Sequence, residues 1–355
     1  MRKNFTAFLA VAILLLVIAG GLFSCGDYTV MDFTAFNTQV YIAVKGNLSA
    51  EKKSAVKELF SQAENSLSLN NDGDVAAFNS ALSGEKIPFS EEVFKVAEKS
   101  KELYDFTDGL FNPAVLPLLR LWKLSSDTFD NKIITFTPPT EESVSSLIPL
   151  ADFSKITFDN GTAEKREDGL CVDFGGIVKG YVVDKVKDIL YNAGITEGYI
   201  SVGGSSIFVF STEEDLSVKH PRKTGEYVFT VDKSLIKNSP LSTSGDYMRY
   251  YTDKDGKRYS HIINGFTGLP ADTGIISATV IAGERAESSL RSACATDAIS
   301  TALMLMEKES ATEFIRSRLQ GFYVFIVFEK DGVKEVLSNT ENLKITDADY
   351  AFSLI

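Results

Sequence analysis

Asp173-Phe174-Gly175-Gly176-Ile177-Val178-Lys179-Gly180-Tyr181 reads as a strand end, a glycine turn and a helix start. Paired glycines leave backbone N–H and carbonyl groups open where no Cβ blocks a ligand, and a following helix aims its N-terminal N–H groups at the turn. Lys179 adds a point charge one turn further on. An acid, bare backbone and a lysine together suit a metal-bound phosphate ester. A plain glycine turn before a helix looks the same, so the segment needs partners elsewhere in the chain. It has neither the G-x-G-x-x-G spacing of a Rossmann unit nor the Walker pattern, which argues against both common nucleotide folds.

Beyond the turn, 180–192 reads as a helix with Val182, Val183, Val186, Ile189 and Leu190 inside, stopped by Gly194. Upstream, 156–158 and 170–174 read as strands joined through a turn at Asn160-Gly161. Near the start, 36–44 alternates like a strand, Ser49 can cap a helix over 50–67, and Ser90 can cap another ending near Asp108-Gly109, with a polar loop over 70–74 between them. The polar stretch 123–139 and the short helix after it make 123–150 a candidate lid or insertion. Downstream, 199–202, 207–210, 227–231 and 275–281 read as strands, 297–306 as a small-residue helix and 322–329 as a closing strand. Strands and helices mix without strict βαβ alternation, which predicts an α+β fold with largely antiparallel sheets.

The 355 residues allow two domains or one large α+β unit. A formal net charge of −12 with no Lys/Arg-rich tract argues against nucleic acid as a partner. His220 and His261 are far apart, and Cys25, Cys171 and Cys294 are dispersed, so no zinc pattern exists. Arg2 and Lys3 precede an uncharged apolar run over 5–23 that ends in Leu22-Phe23-Ser24-Cys25-Gly26, which looks like a bacterial lipobox. That reading makes 1–24 a signal peptide, Cys25 a lipidated mature N-terminus and 25–35 a tether. The other reading is an uncleaved anchor, since about 20 apolar residues span a bilayer. Either way the folded part is expected outside the cytoplasmic membrane, on the periplasmic side. Cys171 and Cys294 sit in apolar or small-residue stretches and are expected reduced and packed.

Two later segments complete the site. Leu241-Ser242-Thr243-Ser244-Gly245-Asp246-Tyr247, followed by Ser260-His261-Ile262-Ile263-Asn264, reads as a polar hairpin tip able to bond a phosphate or a planar ring, or else as a loop of turn formers. Asp297 and Thr301 share one face of the small-residue helix. A carboxylate and a hydroxyl there can ligate a hard cation such as Mg²⁺. Alternatively, Thr301 bonds back to its own helix and Asp297 favours the positive N-terminus.

Taken together and in order, these segments resemble the ApbE family of FAD:protein FMN transferases, also called flavin transferase lipoproteins, over nearly all of the chain after Cys25. The resemblance runs through Asp108-Gly109-Leu110-Phe111-Asn112, Val172 to Gly180, Ser201 to Ser205, Ser242 to Tyr247, His261 to Gly268 and Ala295 to Thr301. It implies a T-fold-related architecture, with FAD as substrate and Mg²⁺ held by the Gly176 carbonyl, Asp297 and Thr301. It further implies that Asp173 and Lys179 hold the nucleotide, that Phe36 packs on the flavin with Asn79, Leu110, Phe111 and Asn112 around it, and that Gly245 and Tyr247 complete the cofactor site. The acceptor would be an exported or membrane flavoprotein, with subunits of respiratory complexes as the family's typical targets. His261 either takes the proton from the attacking hydroxyl or only positions FAD. His220 matches no family histidine and is expected in a surface loop. An FAD pyrophosphatase and a non-catalytic FAD-binding lipoprotein are the rival readings. Three positions depart from the family pattern: Phe36-Asn37 for Met-Gly, Asn112 for Asp, and Gly265 for Pro.

Overall fold

The computed structural model describes residues 28–355 apart from 71 and 134. The expected signal peptide, Cys25 and the first residues of the expected tether lie outside the described residues. Nine strands lie side by side in chain order as the main sheet. They are β1 (Tyr28–Ala35), β2 (Thr38–Lys45), β3 (Gly198–Val202), β4 (Ser206–Ser211), β5 (Ser239–Gly245), β6 (Ile275–Ala282), β7 (Phe322–Lys330), β8 (Val333–Ser338) and β9 (Ala351–Leu354). Every neighbouring pair is antiparallel except β8 and β9. The α+β expectation with largely antiparallel sheets therefore holds.

Eight helices accompany the sheet among the described residues: α1 (Ala50–Ser66), α2 (Asp74–Ser80), α3 (Glu91–Phe106), α4 (Leu116–Leu121), α5 (Glu141–Leu147), α6 (Val178–Tyr191), α7 (Ala293–Leu303) and α8 (Lys308–Arg318). None is long and apolar enough to cross a membrane. On one face of the sheet, Val56 and Phe60 of α1 and Val182 and Val186 of α6 pack on Ile42, Val202 and Phe208. On the same face α7 lays Ala295, Ala298, Ile299 and Ala302 against Ala278, Val280 and Val324. Small side chains let this helix lie close to the strands. The other face is covered by a three-stranded sheet of Leu216–Lys219, Tyr227–Val231 and Leu343–Ile345, whose Val228, Phe229 and Val231 meet Ile207, Ile281 and Phe325. With both faces covered, β6 is buried at every position, which is why its sequence is a near-continuous β-branched run.

Several expectations need correction. Residues 28–35, read as tether, form β1 and pair with β2 along its full length, burying Met31 and Ala35. Phe36 and Asn37 are the intervening turn, both left-handed (φ 51° and 54°), the geometry of a two-residue type I′ hairpin. The partner of the strand Ile156–Asp159 is Thr162–Lys165, not 170–174. The latter segment joins no sheet and is pinned by the Asp173 N–H donating to the Pro113 carbonyl (2.8 Å). The loop over 70–74 gives way to α2 at Asp74, and α8, β8 and β9 were not read from the sequence. The 123–150 stretch packs on the body: Leu124, Phe136 and Val144 share an apolar cluster with Trp122, Tyr251 and Ile263. The Trp122 indole N–H donates to the Gly268 carbonyl (2.9 Å).

Candidate active site

The β1–β2 turn, the β3–β4 turn and the end of β5 lie at one end of the main sheet. The Gly203 N–H donates to the Gln39 carbonyl (2.8 Å), and Ser206 of β4 faces Ser242 of β5 in register. The segment 241–245 is thus a central strand, not a hairpin tip. Its period of two sends alternate hydroxyls to opposite faces. Ser242 bonds Thr296 (2.9 Å) and Ser244 bonds Ser300 (2.8 Å) and Thr301 (3.1 Å), all on α7, while Thr243 bonds Thr279 of β6 (2.9 Å).

The helix that follows the glycine turn meets α7 through Gly180 and Asp297. Gly175 and Gly176 are exposed just before α6, and the Gly175 N–H donates to Asp173 Oδ1 (2.7 Å). Asp297, buried on α7, accepts from Ser206 Oγ on both oxygens (2.7 and 2.8 Å) and from the Gly180 N–H of α6 (2.8 Å). α6 has no side-chain cap of its own, so a carboxylate from another helix fills that role, where negative charge is favoured. Thr301 Oγ1 donates to the Asp297 carbonyl (3.0 Å), the local bond weighed above, yet it also reaches Ser244.

A cation here would be held by hard oxygens. No cluster of three or more His, Cys, Asp or Glu side chains suited to a metal occurs among the described residues. The donors are one carboxylate (Asp297), hydroxyls (Thr301, Ser244) and the exposed Gly176 backbone. A set with so few protein charges fits Mg²⁺, which keeps waters and substrate phosphates in its shell, and does not fit zinc.

Cationic side chains gather beside the glycine turn. Lys179 Nζ bends back towards the Gly175 carbonyl (3.5 Å). Burial pushes the His261 imidazole down to about 3, and repulsion from Arg249 and Lys179 adds to this. His261 is therefore neutral at physiological pH. Its backbone N–H and its Nδ1 both bond the Arg249 carbonyl (3.0 and 3.1 Å). A carbonyl only accepts, so Nδ1 carries the proton and Nε2 is left as a base or acceptor. Burial raises the Asp173 carboxyl above its ordinary value, opposed by the Gly175 N–H and the Arg249 charge. Arg249 itself makes one long bond, to the Leu124 carbonyl (3.4 Å), and was missed in the sequence because a lone arginine carries no spacing.

Some expected ligand residues are committed elsewhere. The Asn79 amide pairs with both backbone groups of Val172 (2.9 and 2.7 Å) and so anchors the strand leading to Asp173. Tyr247 folds its ring over Gly245, where a Cβ would lie 2.2 Å from the ring, so this glycine is required by packing. Leu110 is half-buried, and Phe111 is buried against Gly176, with 3.2 Å between its ring and the place a Cβ would take. Phe36 sits in the hairpin turn, its ring 6.0 Å from that of Phe60. His220 is not a surface residue. It is buried, with Nε2 on Asp347 (2.9 Å) and Nδ1 accepting from the Arg222 and Lys223 N–H groups. Cys171 and Cys294 are free and buried, as expected.

The sequence pattern of the ApbE family matches residues 33–326. The chain belongs to the ApbE family. It is 28% identical over 278 residues to the FAD:protein FMN transferase of Vibrio cholerae, covering 76% of this chain and 77% of that protein. It is also 28% identical over 300 residues to that of Escherichia coli K12, covering 82% and 80%. The crystal structure of the ApbE protein of Thermotoga maritima superposes with a TM-score of 0.73 at 26% identity, over 85% of this chain and 94% of that one.

Asn112 and Gly265, singled out in the sequence, form one structural feature. Asn112 accepts from the Ala114 N–H and donates through Nδ2 to the Ala151 carbonyl (2.9 Å each). A Cβ on residue 265 would sit 2.6 Å from that Nδ2. Asn112 thus occupies the space that any side chain at 265, proline included, would need.

Proposed function

We propose that this chain transfers FMN from FAD to a Ser or Thr hydroxyl of an acceptor flavoprotein and releases AMP, with Mg²⁺ as the cofactor. The observation that carries the reading is the meeting of Asp297, Thr301 and Ser244 with the start of α6, with Lys179, Arg249 and a neutral His261 grouped beside the glycine turn. The names of the ApbE relatives support it. The acceptor oxygen attacks the FMN-side phosphorus. The bond from that phosphorus to the bridging oxygen breaks, and AMP departs with that oxygen. His261 Nε2 takes the proton of the attacking hydroxyl once the bound pyrophosphate offsets the Arg249 and Lys179 charges that lower the imidazole, its ring oriented by the Arg249 carbonyl. Lys179 and Arg249 hold the pyrophosphate, and Asp173 keeps the glycine turn open for the nucleotide. Mg²⁺, held by Asp297, Thr301 and the Gly176 carbonyl, would neutralise charge on the pyrophosphate. Exported or membrane flavoproteins, such as respiratory-complex subunits, are the proposed acceptors, reached from a lipid anchor on Cys25 at the periplasmic side of the membrane.

The test is AMP release from FAD and Mg²⁺ by the purified chain, with and without a tagged acceptor. AMP formed only with acceptor, together with a fluorescent acceptor band, is the expected result. AMP and free FMN without acceptor would make it a hydrolase instead. Asp297→Ala should abolish turnover while weakening FAD binding only in part. Unchanged AMP release by that variant would remove Asp297 from the cation site.

A further inference from the structure

α6 and α7 cross at their first turns, and each caps the other. A Cβ on Gly180 would lie 2.3 Å from the Ala293 carbonyl oxygen and 2.6 Å from the Cys294 nitrogen, so the approach requires glycine. Asp297 of α7 accepts from the Gly180 N–H of α6 (2.8 Å). In return, Asp184 of α6 accepts from the Ala293 N–H on one oxygen (2.9 Å) and the Cys294 N–H on the other (3.0 Å). Each carboxylate stands one helical turn beyond the close-approach residue of its own helix. Ser292 Oγ takes the next α7 donor, the Ala295 N–H (3.1 Å). The first three N–H groups of α7 are therefore all satisfied by side chains, two of them by Asp184.

We propose that Asp184 is a positioning residue for the cation site: by gripping the first turn of α7 it sets where Asp297 and Thr301 stand relative to the Gly175-Gly176 turn. This rests on the reading of Asp297 and Thr301 as cation ligands. Those two residues lie on a single rigid helix, so a shift or rotation at its start carries both. Two buried N–H groups left without an acceptor would favour such a shift or fraying of the first turn. The charge of Asp184 also faces the positive end of α7. Its carboxyl is raised to about 6 by burial, which outweighs the opposing pull of the two N–H bonds.

The experiment compares the full-length chain with Asp184→Asn, Asp184→Ala and Asp297→Ala. Two quantities are read: the Mg²⁺ half-saturation of AMP release at saturating FAD, and the rise in Tm that Mg²⁺ alone produces without FAD. Loss of an outer partner of a ligand typically weakens metal binding about 10–100-fold. Asp184→Ala should raise the half-saturation by about tenfold or more and flatten the Mg²⁺-induced Tm rise. Turnover should return at high Mg²⁺ with the KM for FAD unchanged. Asp184→Asn, which keeps one acceptor oxygen, should fall between, and it decides the matter if the alanine variant does not fold. A folded Asp184 variant with parental half-saturation and parental Tm response, or a loss of turnover that Mg²⁺ does not restore, overturns the proposal. Retention of the Mg²⁺ response by Asp297→Ala would instead show that the cation reading beneath it has failed.

Discussion

His261 and Gly265 show how single residues here answer to their surroundings. The imidazole is lowered from the ordinary 6.5 to about 3, so the folded state binds fewer protons than the unfolded chain between those values. Its contribution to stability is fully present above pH 6.5 and is lost as the pH falls towards 3. Urea midpoints at pH 7 and pH 5 should therefore fall further for the parent than for His261→Gln, and equal falls would refute the assignment. FAD should act against the shift, because its pyrophosphate offsets the charges of Arg249 and Lys179. An NMR titration of His261 should move upward on binding. Gly265→Ala sets a methyl against Asn112 Nδ2, and overpacking of this kind costs about 1–3 kcal/mol. Combining it with Asn112→Ala should recover part of that loss in a double-mutant cycle, since the two sites share one space. Additive losses would mean that the clash relaxes elsewhere.

At the level of elements, a set of paired hydroxyls joins β5 to α7. Ser242, Thr296 and Ser300 are all fully buried, and each finds its partner across the strand–helix gap. Ser242→Ala leaves the Thr296 hydroxyl with the Ala293 carbonyl alone, which should lower stability by about 1–2 kcal/mol in denaturant melts. A neutral result would mean that water replaces the lost hydroxyl. The ladder also explains why the strand was misread. Ser, Thr and Gly are turn formers by local preference, and only a helix carrying matching hydroxyls makes them a stable interior strand. α2 escaped notice for a similar reason. Its seven residues carry only Val75 and Phe78 as buried contacts, too few for a periodic signal.

Across the whole molecule, β1 closes one edge of the nine-stranded sheet. A chain beginning at residue 36 loses the partner of β2 and uncovers the pocket filled by Met31 and Ala35. It should melt well below a chain beginning at residue 26, or aggregate through the bared edge; equal melting temperatures would show β1 to be dispensable. The α+β class, about half of the helices and strands from 36 onward, the glycine turn and the Asp297/Thr301 pair were legible in the chain alone. Those signals are local: a period of two or 3.6, a cap, a turn, or two residues on one helix face. The chain alone did not reveal that residues 28–35 are a strand, that 123–150 is packed, that Asn112 and Gly265 share a space, that Arg249 stands beside His261 and Asp173, or that Asp184 and Asp297 exchange caps. Each of those depends on which segments become neighbours, and partners far apart in the chain leave no periodic trace in either segment. Tertiary structure decided them because a buried carboxylate, amide or hydroxyl must find a partner, and only the packed fold supplies it.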